Sequence, residues 1–257
     1  MHISRGAPDI VSGVFFEMDN TVFVFGSNLP GIHGKGAAAH AARWFGAARG
    51  VGEGLAGQSY AIPTKRAPSE SLSLDEVAQS VCRFKEFAQS NPDRRFLVTR
   101  VGCGLAGFSD RQIAPLFLDA PENCLLPGVW LRMRDEKIVR LIVAGSRSIV
   151  DSNFVFEKLD RLVSATRVSE VVSGQARGVD RIGESWAKAR GIHVVEFPAH
   201  WDRFGKSAGM VRNAEMAWYG THLAAFWDGV SPGTKGMVDL ATQGGLVVRK
   251  VLAKRGE

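Results

Sequence analysis

Small, hydroxyl-bearing and charged residues are concentrated in one loop of the second half of the chain, Ser173–Gly178. The loop follows the apolar segment Val168–Val172 and precedes a predicted helix that begins at Val179. A strand that leads through a glycine-rich loop into a helix directs several backbone N–H groups at one point, beside the positive end of the helix dipole. Such a loop is suited to binding an anion, most often a phosphate.

Two carboxylates follow this loop, Asp180 and Glu184, one helical turn apart and therefore on one face of the predicted helix. A carboxylate in that position could hold ribose hydroxyls or act as a general base, so Glu184 is a catalytic candidate. The alternative for Glu184 is a stabilising charge near the helix N-terminus.

Three other loops in the same half carry similar residues: Gly145–Arg147, Gly205–Asn213 and Asp228–Thr234. They supply short hydroxyl donors at Ser146, Ser231 and Thr234, to which the first loop adds Ser173. They also supply positive charges for phosphate oxygens at Arg147, Lys206 and Arg212. For Arg212 the alternative is a surface ion pair.

The elements predicted around these loops explain why the loops should converge. Strands at Arg140–Ala144, Val168–Val172, Ile192–Phe197, Leu223–Trp227 and Leu246–Val251 alternate with predicted helices. This alternation predicts a parallel sheet with helices on both faces. Ligands of such sheets bind beyond the carboxyl ends of the strands, at the switch point.

The first half predicts a comparable α/β arrangement with two more glycine loops, Gly26–Gly36 and Gly102–Asp110. We expect a hairpin or two edge strands at Val14–Phe16 and Val22–Phe25. We also expect a helix with a capping box at Ser73 and Glu76. Further predicted elements are a helix at Ala37–Ala48 and strands at Gln58–Pro63, Phe96–Val101 and Val129–Met133.

The composition indicates which kinds of partner and which cellular compartment to expect. The 257 residues carry a formal charge of +6, which suits a nucleotide, a nucleic acid or an acidic surface. The three cysteines have no metal-like spacing, so we expect free thiols, a reducing cytoplasm and no metal. No apolar run approaches the roughly 18–20 residues of a membrane span, so no membrane partner is expected.

Five separated blocks in the second half, GSR, SGQARGVD, GIHVVEFPAHW, GKSAGMVRN and FWDGVSPGT, together resemble the YspA-type branch of the SLOG superfamily. That superfamily includes the Lonely Guy phosphoribohydrolases and the DNA-processing protein DprA. The resemblance implies a Rossmann-like nucleotide-binding domain that associates into oligomers. It also implies ligand contacts from Gly145, Ser146, Arg147, Ser173, Gly174, Gly178, Asp180, Arg212, Asn213, Gly233 and Thr234, to which the hydroxyl of Ser231 is added as a candidate from its loop.

The chain departs from the Lonely Guy pattern after Gly233 and Thr234. Those enzymes have a glutamate soon after their PGGxGT loop, whereas here the nearest acid is Asp239. This difference argues against phosphoribohydrolase activity.

The blocks FGSN and GIHGKG, followed by VGCGLAGF, resemble the two ligand loops of macro domains, which bind ADP-ribose. The resemblance implies Asn28 near the distal ribose and the second loop around the diphosphate. Lys35 and Asp110 are catalytic candidates because some macro-type hydrolases use a lysine and an acid, although Lys35 could equally be a phosphate contact. The implied contacts are Asn28, Gly34, Lys35, Gly36, Gly102, Gly104, Leu105, Ala106, Gly107 and Phe108.

The sequence thus predicts an α/β protein with a macro-like α/β/α domain at 1–136 and a Rossmann-like parallel-sheet SLOG domain at 137–257. The leading hypothesis is a sensor or sponge for an ADP-ribose-like or NAD-derived signalling nucleotide, such as a cyclic ADP-ribose, in phage or bacterial defence. No separate cofactor is expected. The alternatives are a hydrolase of ADP-ribosyl or nucleotide N-glycosidic bonds and a nucleic-acid-binding module.

Overall fold

The computed structural model describes residues 20–253. Its internal contacts divide the chain into two compact units, one extending to Arg134 and one beginning at Asp135. We describe each unit by itself, as the N-terminal and the C-terminal domain.

The N-terminal domain alternates strands and helices. In chain order these are β1 (Thr21–Asn28), α1 (Gly36–Trp44), β2 (Gly54–Ala56), β3 (Ser59–Ala67), β4 (Glu70–Ser71), α2 (Leu74–Gln89), β5 (Arg95–Val98), α3 (Asp110–Ile113) with a 3-10 turn at Ala114–Leu116, β6 (Cys124–Leu125) and α4 (Gly128–Arg134).

Its sheet is mixed, with the strand order β2-β3-β1-β5-β6 and β4 beside β3. The strands β3, β1, β5 and β6 run parallel, whereas β2 and β4 are antiparallel to β3. The predicted hairpin or pair of edge strands is wrong for its described part, because β1 lies inside the sheet and pairs in parallel with both of its neighbours, β3 and β5. Val14–Phe16 lies outside the described residues. Burial along almost all of β1 agrees with its central place in the sheet.

Helix α2 begins as the sequence predicts. Ser73 accepts a hydrogen bond from the Glu76 N–H, and the Glu76 carboxylate accepts one from the Ser73 N–H, which completes the capping box. The apolar face of α2, with Val77, Val81 and Phe84, is buried against the sheet in the core of this domain.

The predicted strand Val129–Met133 is wrong because this segment forms α4. Trp130 is fully buried there, and its indole N–H donates to Asp110 Oδ1 at 2.7 Å. A short apolar run reads the same in a buried strand and in a buried helix, so periodicity could not decide between them.

The C-terminal domain has the more regular alternation. Its elements are β7 (Arg140–Gly145), α5 (Ser152–Val163), β8 (Glu170–Ser173), α6 (Val179–Ala189), β9 (His193–Glu196), α7 (Trp201–Phe204) with a 3-10 turn at Gly205–Ser207, α8 (Ala208–Tyr219), β10 (His222–Trp227), α9 (Pro232–Gln243) and β11 (Val247–Leu252).

Its five strands form a wholly parallel sheet in the order β11-β10-β7-β8-β9, which confirms the predicted Rossmann-like arrangement. The chain moves outward from β7 in one direction through β8 and β9, and in the other through β10 and β11. The switch point therefore lies between β7 and β10. No helix in residues 20–253 is long and apolar enough to cross a membrane.

Candidate functional site

A cavity of about 610 Å³ opens beyond the carboxyl ends of β7 and β10, at the switch point of the C-terminal domain. The four loops named from the sequence contribute to its wall or lie beside it. The predicted site residues that line it are Gly145, Arg147, Asp180, Arg212, Asn213, Ser231, Gly233 and Thr234.

The N-terminus of α9 forms one wall of this cavity. Ser231 is its N-cap, and the Ser231 hydroxyl accepts a hydrogen bond from the Thr234 N–H at 3.5 Å. A Cβ placed on Gly233 would meet no atom within 4 Å, so the backbone at the start of the helix is open to the cavity. The helix dipole makes this end favourable for an anion.

Asp228 holds the loop before α9 in shape. Its Oδ1 accepts hydrogen bonds from the N–H groups of Val230 and Ser231, at 3.1 and 2.8 Å, and its Oδ2 accepts from the Ser148 hydroxyl at 3.0 Å. These bonds to the ionised form, led by the Ser231 N–H, lower the pKa of Asp228 below its usual range.

Ser146 lies beneath the cavity. Its hydroxyl accepts from the Asp228 N–H at 3.1 Å and is 3.5 Å from the Thr234 hydroxyl, and the residue is 1% exposed. The structure therefore places Ser146 between the loops that follow β7 and β10, rather than on the cavity surface.

Asp180 occupies the anion-binding loop that the sequence singles out. Its two oxygens accept hydrogen bonds from the N–H groups of Gly145 and Ala176, both at 3.4 Å, and Arg212 Nη1 lies 3.9 Å away. Burial raises the pKa of Asp180 to about 6 against the opposing charge of Arg212. The loop that was predicted to bind an anion thus already holds a carboxylate of the protein itself, that of Asp180.

Glu184 and Ser173 do not line the cavity. The Ser173 hydroxyl donates to Glu184 Oε1 at 2.7 Å and accepts from the Gln175 N–H at 3.0 Å. Arg181 donates to the other oxygen of Glu184 at 2.9 Å. The buried Glu184 carboxylate supports the loop from behind, which differs from the expectation that it faces a sugar.

Arg212 connects α8 to the same loop. Its guanidinium donates to the Gly174 carbonyl and, through Nε, to Asn213 Oδ1 at 2.9 Å. The Asn213 amide donates to the Gly233 carbonyl at 3.3 Å, at the start of α9. The Arg212 side chain is 12% exposed, so the alternative of a surface ion pair does not apply. Gly174 lines an adjoining depression instead, and Gly178 lies behind Arg147.

Arg147 and Lys206 add exposed positive charge to the cavity wall. Neither forms a hydrogen bond or ion pair with any residue in the described part of the chain. Met210 and Met237, which sequence reasoning missed, complete the lining with apolar surface. The spacing of Met210 one turn after Lys206 and one before Asn213 is a signal that could have identified it.

The N-terminal domain has a cleft of about 450 Å³ at the carboxyl ends of β1, β3 and β5. Gly107 and Phe108 do not line it. Thr64 and Lys65, at the end of β3, and Thr99 and Arg100, after β5, line it without having been predicted. The predicted residues that line it are Asn28, Gly34, Lys35, Gly36, Gly102, Gly104, Leu105 and Ala106.

Two predicted residues of this domain have internal partners. Asn28 both donates to the carbonyl and accepts from the N–H of Ile32, each at 2.8 Å, so its amide closes the loop that follows β1. Asp110 accepts from Arg100 Nε at 2.9 Å as well as from Trp130. Lys35 is exposed at the cleft, and Thr99 Oγ1 is buried there with no hydrogen-bond partner among the described residues.

No group of three or more His, Cys, Asp or Glu residues that could hold a metal occurs within residues 20–253. Burial raises the pKa of the Cys103 thiol to about 12, which favours the neutral form. Cys103 therefore packs as a small apolar residue and lacks the character of a nucleophile.

Comparison with known proteins gave a family match within the C-terminal domain and a relative of the chain. The model of the family described as YspA, cpYpsA-related SLOG matches residues 139–204. The Gene 61 protein of Mycobacterium phage D29 is 35% identical over 116 residues, which cover 42% of this chain and 93% of that protein. No solved structure matches the chain. The N-terminal domain is an α/β domain of unassigned family. The C-terminal half of the chain thus contains a YspA, cpYpsA-related SLOG domain, of a family associated with nucleotide binding.

Proposed function

We propose that the protein binds an ADP-ribose-like or NAD-derived nucleotide in the C-terminal cavity and acts as a sensor or sponge for it. The observation that carries this proposal is the open N-terminus of α9 facing a cavity that Arg147 and Lys206 also line. An exposed helix N-terminus and two cations without protein partners favour a phosphate or diphosphate. A volume of about 610 Å³ lies within the usual range of small-ligand sites.

The rest of the lining suits the other parts of a nucleotide. Asp180 and Asn213 offer polar atoms for ribose hydroxyls, while Met210 and Met237 offer apolar surface for a base. The Asp180 carboxylate faces the cavity next to Arg212, which limits its repulsion of a bound phosphate.

The cleft of the N-terminal domain supports a second site for the same chemistry. Exposed Lys35 and the loop Gly102–Ala106 line it, as the resemblance to macro domains implies for a diphosphate. We therefore extend the proposal to ADP-ribose in this cleft.

Calorimetry with AMP, ADP-ribose, cyclic ADP-ribose and NAD tests the proposal. We expect at least one of these ligands to bind, and the double variant Arg147→Gln, Lys206→Gln to weaken that binding at least tenfold, because each charge-assisted contact contributes about 1.5–3 kcal/mol. The matched control is Arg167→Gln, Lys188→Gln, which removes two exposed charges outside the cavity. Failure of all four ligands to bind would reject the proposal.

Hydrolysis of the nucleotide is the second candidate, and one observation favours it. Asp180 lies in the cavity with its pKa raised to about 6, which is a property of some general acids and bases. Against hydrolysis, both Asp180 oxygens accept backbone hydrogen bonds, and Asp239 is paired with Lys235 at 2.7 Å on an exposed helix face. Chromatography of the ligand after long incubation decides between binding alone and hydrolysis. Unchanged ligand supports binding alone. A product that forms with the parent protein and does not form with Asp180→Asn supports catalysis.

A further inference from the structure

A second depression, of about 380 Å³, adjoins the nucleotide cavity of the C-terminal domain. The two share Arg147, Ala176 and Arg212 in their linings, so they lie side by side. The far side of the depression is formed by Pro198 and Trp201.

Four arginines line this depression, and two of them are available to a ligand. Arg212 donates to the Gly174 carbonyl and Arg181 to Glu184. Arg147 and Arg177 are exposed and make no hydrogen bond or ion pair with any residue between 20 and 253. Two guanidinium groups without protein partners at one concave surface favour a further phosphate.

Trp201 gives the depression an aromatic wall. It begins α7 and is 55% exposed, which is a large apolar surface to leave in water. The edge of its ring lies near Gly209 of α8, where a Cβ would be 3.8 Å from the indole Cη2. A tryptophan that lines a concave surface while more than half exposed is suited to stacking on an aromatic ring of a ligand.

The loop between the two cavities is held in a defined shape. Gln175 has a φ of +59°, which is uncommon for a residue other than glycine, and its amide donates to Glu196 Oε2 at 2.6 Å. Such backbone conformations persist where the surroundings hold them and cluster at ligand-binding segments.

We propose that this depression binds the second half of a dinucleotide whose first half occupies the main cavity. Arg147 and Arg177 contact the second phosphate, and Trp201 stacks on an uncharged second base. The ligand class is thus a phosphate-linked dinucleotide with two bases. This inference rests on the proposed function, because the first half of the ligand uses the nucleotide site described above.

Three ligands of increasing size test each part of the depression. AMP has one phosphate and one base, ADP-ribose adds a second phosphate and ribose, and diadenosine diphosphate adds a second, uncharged adenine. We expect diadenosine diphosphate to bind at least about fivefold more tightly than ADP-ribose, as base–aromatic stacking allows. Because the other domain could also bind ADP-ribose, affinities are measured in the Lys35→Gln background as well.

Variants test whether the depression is the source of the higher affinity expected for diadenosine diphosphate. Trp201→Ala should abolish the preference for diadenosine diphosphate over ADP-ribose without changing the affinity for AMP, and Trp201→Phe should restore most of it. Arg177→Gln should weaken ADP-ribose and diadenosine diphosphate but not AMP. Arg167→Gln, which removes the same charge elsewhere, should change none of the three.

The outcomes separate this inference from the proposed function. If AMP or ADP-ribose binds and diadenosine diphosphate binds no more tightly, the inference is wrong and the proposed function stands. If none of the three ligands binds, the inference is wrong, and if cyclic ADP-ribose and NAD also fail to bind, the proposed function is wrong as well. If affinity continues to rise along oligoadenylates longer than two nucleotides, the depression belongs to a single-strand track and the dinucleotide assignment is overturned.

Discussion

Gly174 is the residue at which one added carbon would alter the nucleotide cavity. A Cβ on Gly174 would overlap the Arg212 guanidinium, so Gly174→Ala must displace the guanidinium from its place beside the Gly174 carbonyl. We expect the variant to fold and to lose nucleotide affinity to the same extent as Arg212→Gln, about tenfold, because neither variant keeps a guanidinium beside Asp180 to limit its repulsion of a bound phosphate. Calorimetry of the two single variants and the double variant checks this. Additive losses in the double variant would contradict the shared cause.

Glu215 is a buried acid behind Arg212, one turn further along α8. It is 8% exposed, and its Oε1 has no hydrogen-bond partner among the described residues. Burial raises the pKa of Glu215 to about 8, although Arg212 and Arg203 oppose the shift.

The raised pKa of Glu215 predicts that stability falls as the pH rises from mildly acidic values to about 8. Between the unfolded pKa of about 4.5 and the folded pKa of about 8, the folded state binds more protons, so stability falls as pH rises through this window. The slope from this group approaches about 1.4 kcal/mol per pH unit. Glu215→Gln should remove that slope and be more stable than the parent protein above pH 8.

Urea unfolding between pH 6.5 and 8.5 measures the effect, since Asp180 titrates mainly below this range. Glu157→Gln is the control because Glu157 is exposed and paired only with Arg161 one turn away. Parallel stability profiles for Glu215→Gln and the parent protein would show that Glu215 is ionised in the folded state at these pH values.

At the scale of elements, α6 and β7 approach closely at Gly183. A Cβ there would lie 2.6 Å from Val143 Cγ1 on β7, which is fully buried. Gly183→Ala should therefore cost about 1–3 kcal/mol through overpacking, even though alanine is the better helix former. Gly236→Ala in α9 is the matched control: it meets no atom within 4 Å and should stabilise by about 0.5–1 kcal/mol. Equal effects of the two substitutions in thermal unfolding would contradict this packing.

The N-termini of α6 and α9 also differ in which backbone N–H groups they leave without an acceptor. In the loop before α6, the N–H groups of Gln175 and Ala176 are bonded to Ser173 and Asp180, whereas the start of α9 faces the cavity at Gly233. Both loops carry the sequence features of an anion site. At the start of α9, the Gly233 N–H has no acceptor among the described residues and is available to a ligand.

At the scale of the whole molecule, each domain has a cleft at the carboxyl ends of its parallel strands that is proposed to bind ADP-ribose. If both bind ADP-ribose, calorimetry should give a stoichiometry near two. Arg147→Gln with Lys206→Gln should weaken only the C-terminal site, and Lys35→Gln only the N-terminal one. Loss of both binding events in either variant would show that the two sites are not independent.

The sequence by itself determined the alternation of strands and helices, the parallel C-terminal sheet, the capping box of α2 and the loops that carry the site. These features depend on local patterns: hydrophobic periodicity, cap residues and glycine-rich turns. It could not distinguish α4 from a strand, since a buried apolar run suits either element. It also could not show that β1 pairs in parallel on both sides, because strand partners come from distant parts of the chain.

Only the tertiary structure decided what the residues of the Ser173–Gly178 region do. Asp180 accepts a hydrogen bond from the Ala176 N–H of that loop. Glu184 pairs with Ser173 and Arg181 behind the loop, and Arg212 reaches it from α8. Whether a backbone donor is free for a ligand depends on which side chains fold against it. That is a property of contacts between distant segments, and residue types and spacing do not contain it.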